Sequence, residues 1–195
     1  MAKTKIFIIF SVCILFLIIT PVTGKTIESL TFRINAGVGT TIIDLPTALD
    51  WNEGYFEDWD KLNVRVNIQC EFLDFSSFRL GVEVGYNRLY YYYVRVPWVP
   101  SPIIYEGTIS PINISAFGSY MLNDKIFVQV GIGPYIYADG VVMGIKGTLG
   151  YRIPVGEKMA VPISLVGDVN FGDGTPISFG LTVGFEYKLS LSKSK

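Results

Sequence analysis

Nine charged residues stand at alternate positions within otherwise apolar stretches: Arg33, Arg65, Glu71, Arg79, Glu83, Lys146, Arg152, Asp168 and Glu186. Two chemistries are open in principle to such a set. Paired carboxylates can divide acid and base work, and a lysine beside a serine can activate a hydroxyl. The spacing indicates neither. The chain has no His, which removes the commonest general base and the commonest zinc ligand together. Five cations against four anions are nearly balanced, as expected where charges share a confined space and must be paired or hydrated. The nine are therefore candidates for ion pairs. No catalytic residue, metal ligand or cofactor is assigned, and an enzyme is not expected. The stretch Asp50-Trp51-Asn52-Glu53-Gly54 has the start of a calcium loop, but Tyr55 stands where that loop needs glycine.

Composition limits the partners. Of 195 residues, 50% are hydrophobic and 17% charged, against roughly 25% charged in a soluble domain. A formal net charge of −1 argues against a nucleic-acid partner held by a basic patch. Lys3 and Lys5 precede an apolar run from Ile6 to Ile19, followed by Pro21 and the small-residue site Val22-Thr23-Gly24. That pattern predicts a signal peptide over 1–24; the run is too short for a spanning helix. The remainder keeps Cys70 alone, so it cannot form an internal disulfide.

The elements that position the nine charges are strands. From Leu62 to Phe72 the chain alternates without a break, with Leu62, Val64, Val66, Ile68, Cys70 and Phe72 against Asn63, Arg65, Asn67, Gln69 and Glu71. This is the period of a strand with one apolar and one polar face. The same period predicts strands over about 30–42, from 78, and over about 108–121, 126–137, 143–153, 159–171 and 176–189, eight in all. Short turns at 73–77, 122–125 and 154–158 alternate with the other connections, two of them long at about 43–61 and 90–106 and two short near 138–142 and 172–175. That order describes an antiparallel up-and-down meander with both chain ends on the short-turn side.

Glycine placement indicates which face is inside. Ten of the 20 glycines fall on the polar phase, Gly37, Gly81, Gly131, Gly150 and Gly184 among them, whereas Gly118, Gly147 and Gly167 fall on the apolar phase. A convex surface in water has no need of small residues, but a narrow eight-stranded bore does. The polar phase therefore faces inward. On the apolar phase, Phe32, Phe72, Phe78, Tyr120, Tyr151, Phe185 and Tyr187 stand near the short-turn end and Tyr90, Tyr92, Phe171 and Phe179 near the other. Two aromatic girdles around an aliphatic band suit a lipid-facing wall. A closed barrel is also the sheet that satisfies every backbone group in hydrocarbon. The fold expected is all-β: an eight-stranded antiparallel up-and-down transmembrane β-barrel over 25–189, with a short tail at 190–195.

From about residue 29 to 189 the chain resembles the small eight-stranded outer-membrane proteins of Gram-negative bacteria, including the OmpA transmembrane domain, OmpX and OmpW. Its segment Ser178-Phe179-Gly180-Leu181-Thr182-Val183-Gly184-Phe185-Glu186-Tyr187 is similar to the C-terminal signal of such barrels. Those proteins usually end on an aromatic residue, whereas this chain continues from Lys188 to Lys195. The resemblance implies residence in an outer membrane with both mature termini periplasmic. Its partners would be outer-membrane lipid and lipopolysaccharide, and the barrel-assembly machinery would read Gly180, Val183, Phe185 and Tyr187.

Two long connections carry the remaining candidates. Trp51, Tyr55 and Trp59 lie in the first, and Tyr91, Tyr93, Arg95 and Trp98 in the second. Exposed aromatics of this kind suit contact with sugars or protein surfaces, an extracellular ligand or an envelope protein. Equally, Tyr90–Tyr93 can continue the third strand through the membrane interface, where Tyr and Trp concentrate anyway. Three roles follow: a structural or surface-interaction barrel with a filled lumen, a passive conduit for small or hydrophobic solutes, and an accessory subunit of an envelope secretion or assembly complex.

Overall fold

The computed structural model describes residues 29–42, 62–75, 77–95, 103–138, 140–171 and 177–191. Every regular element among them is a strand: β1 (Ser29–Ile42), β2 (Asn63–Phe75), β3 (Phe78–Arg95), β4 (Ile103–Ile109), β5 (Ile112–Met121), β6 (Ile126–Ile136), β7 (Val141–Pro154), β8 (Met159–Phe171) and β9 (Ile177–Ser190). Every pairing is antiparallel, β4 and β5 both lie against β3, and β1 pairs with β9 from Ser29↔Ser190 to Ile42↔Ile177. The sheet therefore closes on itself and has no edge around its girth.

The nine segments make eight staves. β4 and β5 are one stave interrupted at Ser110–Pro111, and both pair with β3. Proline lacks the N–H that would continue the ladder, but its carbonyl still accepts from the Asn87 N–H at 3.1 Å. The alternation around Pro111 fades for this reason, and the fourth strand starts at Ile103, earlier than its pattern suggests. β2 also runs further than expected, through Phe75, whose partner is Phe78 across the first short turn.

Side chains divide as the period requires. On the outer wall, Ile68, Val84, Val130, Ile132, Leu149, Leu165 and Leu181 are exposed, Leu165 to 60%. Water would not tolerate an apolar surface so continuous, and lipid requires it. Phe32, Phe78, Tyr120, Tyr151, Phe185 and Tyr187 stand exposed toward the short-turn end, and Phe171 and Phe179 toward the other. Phe72 is a correction to the first girdle. A register shift between Glu71 and Leu73 inserts it as an extra residue opposite β3, and it is buried at 3% exposure. A bulge breaks strict alternation, so phase counted from Leu62 no longer assigns a face at Phe72.

Three aromatics occupy the inward phase, where the glycines make room. A Cβ at Gly81 would stand 2.5 Å from the Phe117 ring, one at Gly144 2.5 Å from the Tyr135 ring, and one at Gly150 would collide with the Phe127 ring. The outward glycines play a parallel part: the Phe78 ring lies over Gly118 and the Phe179 ring over Gly167.

Candidate functional site

The bore holds the charges. Arg33 stands opposite Glu186 across the β1–β9 ladder and donates to it through Nε at 3.1 Å and Nη2 at 2.7 Å. The same guanidinium reaches Glu71 at 3.3 Å and Gln69 Oε1 at 2.8 Å, and packs 4.7 Å from the centroid of the Phe127 ring. Glu71 also receives Arg79 at 3.2 Å and the Ser119 hydroxyl at 3.2 Å. Glu186 also receives Arg152, through Nε and Nη2, each at 2.6 Å. Three arginines thus share two carboxylates toward the short-turn end.

A second knot forms around Glu83. It accepts from Lys146 Nζ at 2.6 Å, Gln69 Nε2 at 2.6 Å and Asn113 Nδ2 at 2.9 Å. Gln69 joins the two knots, with its oxygen on Arg33 and its nitrogen on Glu83. A third lies nearer the opposite end: Asp168 receives Arg65 at 2.7 Å, the Tyr135 hydroxyl at 2.8 Å and the Ser178 hydroxyl at 3.2 Å. Each carboxylate is met by at least one cation and one neutral donor, or by two cations. That is the condition under which charge tolerates burial.

Two of the ion pairs cross the bore, whereas Arg33–Glu186, Arg33–Glu71 and Arg79–Glu71 join neighbouring staves. Lys146 on β7 and Glu83 on β3 are three staves apart, as are Arg65 on β2 and Asp168 on β8. With Phe117, Phe127 and Tyr135 turned inward, every stave contributes a buried side chain.

All nine charged residues singled out by phase are placed in these three knots. Phase could not identify which cation meets which anion. Lys146 sits directly opposite Asp168 in the β7–β8 register, yet its amine is on Glu83. Gln69, Asn113 and Ser178 belong to the network through their polar phase, a signal already present in the alternation. Tyr135 was missed because its apolar ring fits either face.

Tyr91, Tyr93 and Arg95 lie on β3 where it pairs with β4, in register with Gly107, Tyr105 and Ile103. Trp51, Tyr55, Trp59 and Trp98 lie outside the described residues, as do the expected signal peptide and residues 192–195. Val183, Phe185 and Tyr187 face outward on β9 opposite Ala36, Ile34 and Phe32. Gly180 faces inward, where a Cβ would stand 3.1 Å from Arg65 Nε. Among the described residues no group of three or more Cys, Asp or Glu is placed to hold a metal.

No protein-family model matches the sequence, and no curated protein matches it. Solved structures do. Neisserial surface protein A aligns over 83% of this chain and 97% of its own, at a TM-score of 0.52 and 10% identity. OprG, an outer-membrane protein of Pseudomonas aeruginosa, aligns over 84% and 97%, at 0.50 and 9%. The Yersinia pestis outer-membrane protein Ail, solved in a phospholipid bilayer nanodisc, aligns over 80% and 99%, at 0.50 and 9%. At such identities the likeness is one of fold. With its closed ring of eight antiparallel staves, apolar wall and polar bore, the chain has the fold of the small eight-stranded outer-membrane β-barrels.

Proposed function

We propose that this chain is a bacterial outer-membrane barrel whose bore is closed and whose role is structural or surface-interacting. The supporting observation is the set of ion pairs that span the bore. Lys146–Glu83 and Arg65–Asp168 each join staves on different sides, and the Arg33–Glu71–Glu186 knot seals the short-turn end. Opening an axial path requires separating charges that have no other partner of equal quality, at about 3–5 kcal/mol per broken pair. The role is non-catalytic in this reading, because each buried carboxylate is already held by cations and none is left as a base. The signal peptide over 1–24, the barrel over 25–189, the tail at 190–195 and periplasmic termini belong to the same proposal. So do lipid and lipopolysaccharide contacts and recognition of Gly180, Val183, Phe185 and Tyr187 by the assembly machinery.

Ion conductance of the refolded, heat-modifiable protein in a planar bilayer tests it. The expected outcome is silence in a correctly folded sample. Steady discrete channels would overturn the closed bore and favour a solute conduit.

A further inference from the structure

Two ladders of the wall end, at the short-turn side, on a pair of like charges. Beyond Ile126↔Tyr151 the Arg152 N–H donates to the Lys125 carbonyl at 2.6 Å, so Lys125 and Arg152 stand opposite one another. Beyond Met159↔Tyr187 the Lys188 N–H donates to the Lys158 carbonyl at 2.8 Å, which sets Lys158 opposite Lys188. Like charges directly opposite destabilise a sheet pair, yet the β6–β7 and β8–β9 ladders both end this way.

These cations face the mouth of the bore. Two residues further in on the same strands stand Phe127, Ala160 and Glu186, all buried, and alternation gives Lys125, Lys158 and Lys188 the same inward phase. The reach of Lys188 agrees, with its amine 4.0 Å from Asp74 on β2, two staves away. Asp74 also has Arg79 at 3.8 Å. Deeper in the bore Lys146–Glu83 and Arg65–Asp168 close to 2.6 and 2.7 Å, whereas at the mouth one carboxylate is shared at the limit of contact. Arg152 is held by Glu186. Lys125 and Lys158 are exposed. Among the described residues no acid pairs with either amine, although Asp124 and Glu157 precede them in the turns. A bore sealed by matched charges thus ends in unmatched positive ones.

We propose that the short-turn mouth is a docking site for an acidic segment of a soluble polypeptide, whose carboxylates lie among Lys125, Lys158 and Lys188. Its carboxylates offset the repulsion on both like-charge rungs, and the complementary field selects against basic segments. The inward phase favours this occupant over a lipid phosphate, because lipid lies against the other face of the wall. The proposal rests on the reading that this end of the barrel lies in the periplasm. Labelling of Lys158→Cys by a membrane-impermeant maleimide, measured against the parent before and after the outer membrane is opened, tests that orientation separately.

The test uses the full chain refolded in detergent, with a fluorescent peptide of alternating Glu and Ser as the probe and its Lys–Ser counterpart as control. At low ionic strength the Glu peptide is expected to bind and the Lys peptide not to bind. Its binding should shift the amide resonances of Lys125, Lys158 and Lys188 and weaken as salt rises. Lys125→Glu combined with Lys158→Glu places opposite charges on both rungs. That variant should bind the Glu peptide about tenfold or more weakly, with the heat-modifiable barrel at least as stable as the parent. Undiminished binding by the variant, or resonance shifts confined to the opposite end of the barrel, would overturn the proposal. Failure of the parent to bind the Glu peptide would overturn it as well. The same shifts produced by anionic phospholipid in a nanodisc, without peptide, would overturn it in favour of a lipid headgroup.

Discussion

Replacing Glu186 with Gln preserves the side chain's shape and removes one charge from the most enclosed acid of the bore, which is 0% exposed. Glu186 accepts from Arg33 at 2.7 and 3.1 Å and from Arg152 at 2.6 Å twice. The two arginines lose unequally. Arg33 keeps Glu71 and Gln69, so its loss amounts to one charge-assisted bond, about 1.5–3 kcal/mol. Glu186 is the one carboxylate that receives Arg152 among the described residues, but Arg152 is 21% exposed and lies near the end of the bore. Hydration there limits its share to about 1–2 kcal/mol. The amide also points one N–H at a guanidinium that can only donate. The sum is about 3–5 kcal/mol, the range measured when one member of a buried pair is removed. Equilibrium urea unfolding in detergent micelles reads it as a fall in midpoint at unchanged slope. A loss below about 1 kcal/mol, the value of an exposed pair, would refute the reasoning, because it would mean that water reaches Glu186 in the folded barrel.

Three further outcomes are expected. Gly150→Ala places a methyl on the Phe127 ring and should destabilise the barrel by about 1–3 kcal/mol, whereas Gly147→Ala, which meets nothing within 4 Å, should stay within about 0.5 kcal/mol of the parent in the same titration. Leu165→Arg, at mid-wall, should lower folding free energy in lipid vesicles by about 2–4 kcal/mol, and Tyr187→Arg, near the girdle, by about 0–1 kcal/mol; equal losses would refute the assignment of the outer wall. A double-mutant cycle of Arg65→Met with Asp168→Asn should give a coupling of about 0.5–3 kcal/mol, and additivity would mean the 2.7 Å pair carries no interaction energy.

The strand phases were legible because lipid and bore impose opposite requirements on successive residues. Leu62 through Glu71 shows that contrast without a lapse, and the placement of the nine charges followed from it. The misreadings fall where a local rule gives way to a pairing. Phe72 reads as outward until β3 is laid beside it, since a bulge is a count of two residues against one and exists only between strands. Phe117, Phe127 and Tyr135 sit on the polar phase but are apolar in type. Their inward position is visible only when Gly81, Gly150 and Gly144 on the next stave are seen to lie under their rings. Ion-pair partners depend on strand stagger, which alternation does not encode. Lys146 passes over its register neighbour Asp168 for that reason.

The ladder between β1 and β9 has a consequence for how the ring comes to exist. Its members are joined by the whole length of the chain, with Arg33 and Glu186 separated by 153 positions, while every other ladder of the wall connects neighbours in sequence. Loop-closure entropy makes so distant a pairing the last and slowest to form. Until it forms, Glu186 stands on an open strand with the Arg33 guanidinium at the other margin, and the bore is a wet trough. Arg33 already has Glu71 and Gln69 on its own side and Glu186 has Arg152, so closure completes the knot rather than creating it. An incompletely zipped sheet leaves the facing backbone groups of β1 and β9 unpaired in hydrocarbon, so the most sequence-distant ladder is also the one that removes the last bare edges of the wall.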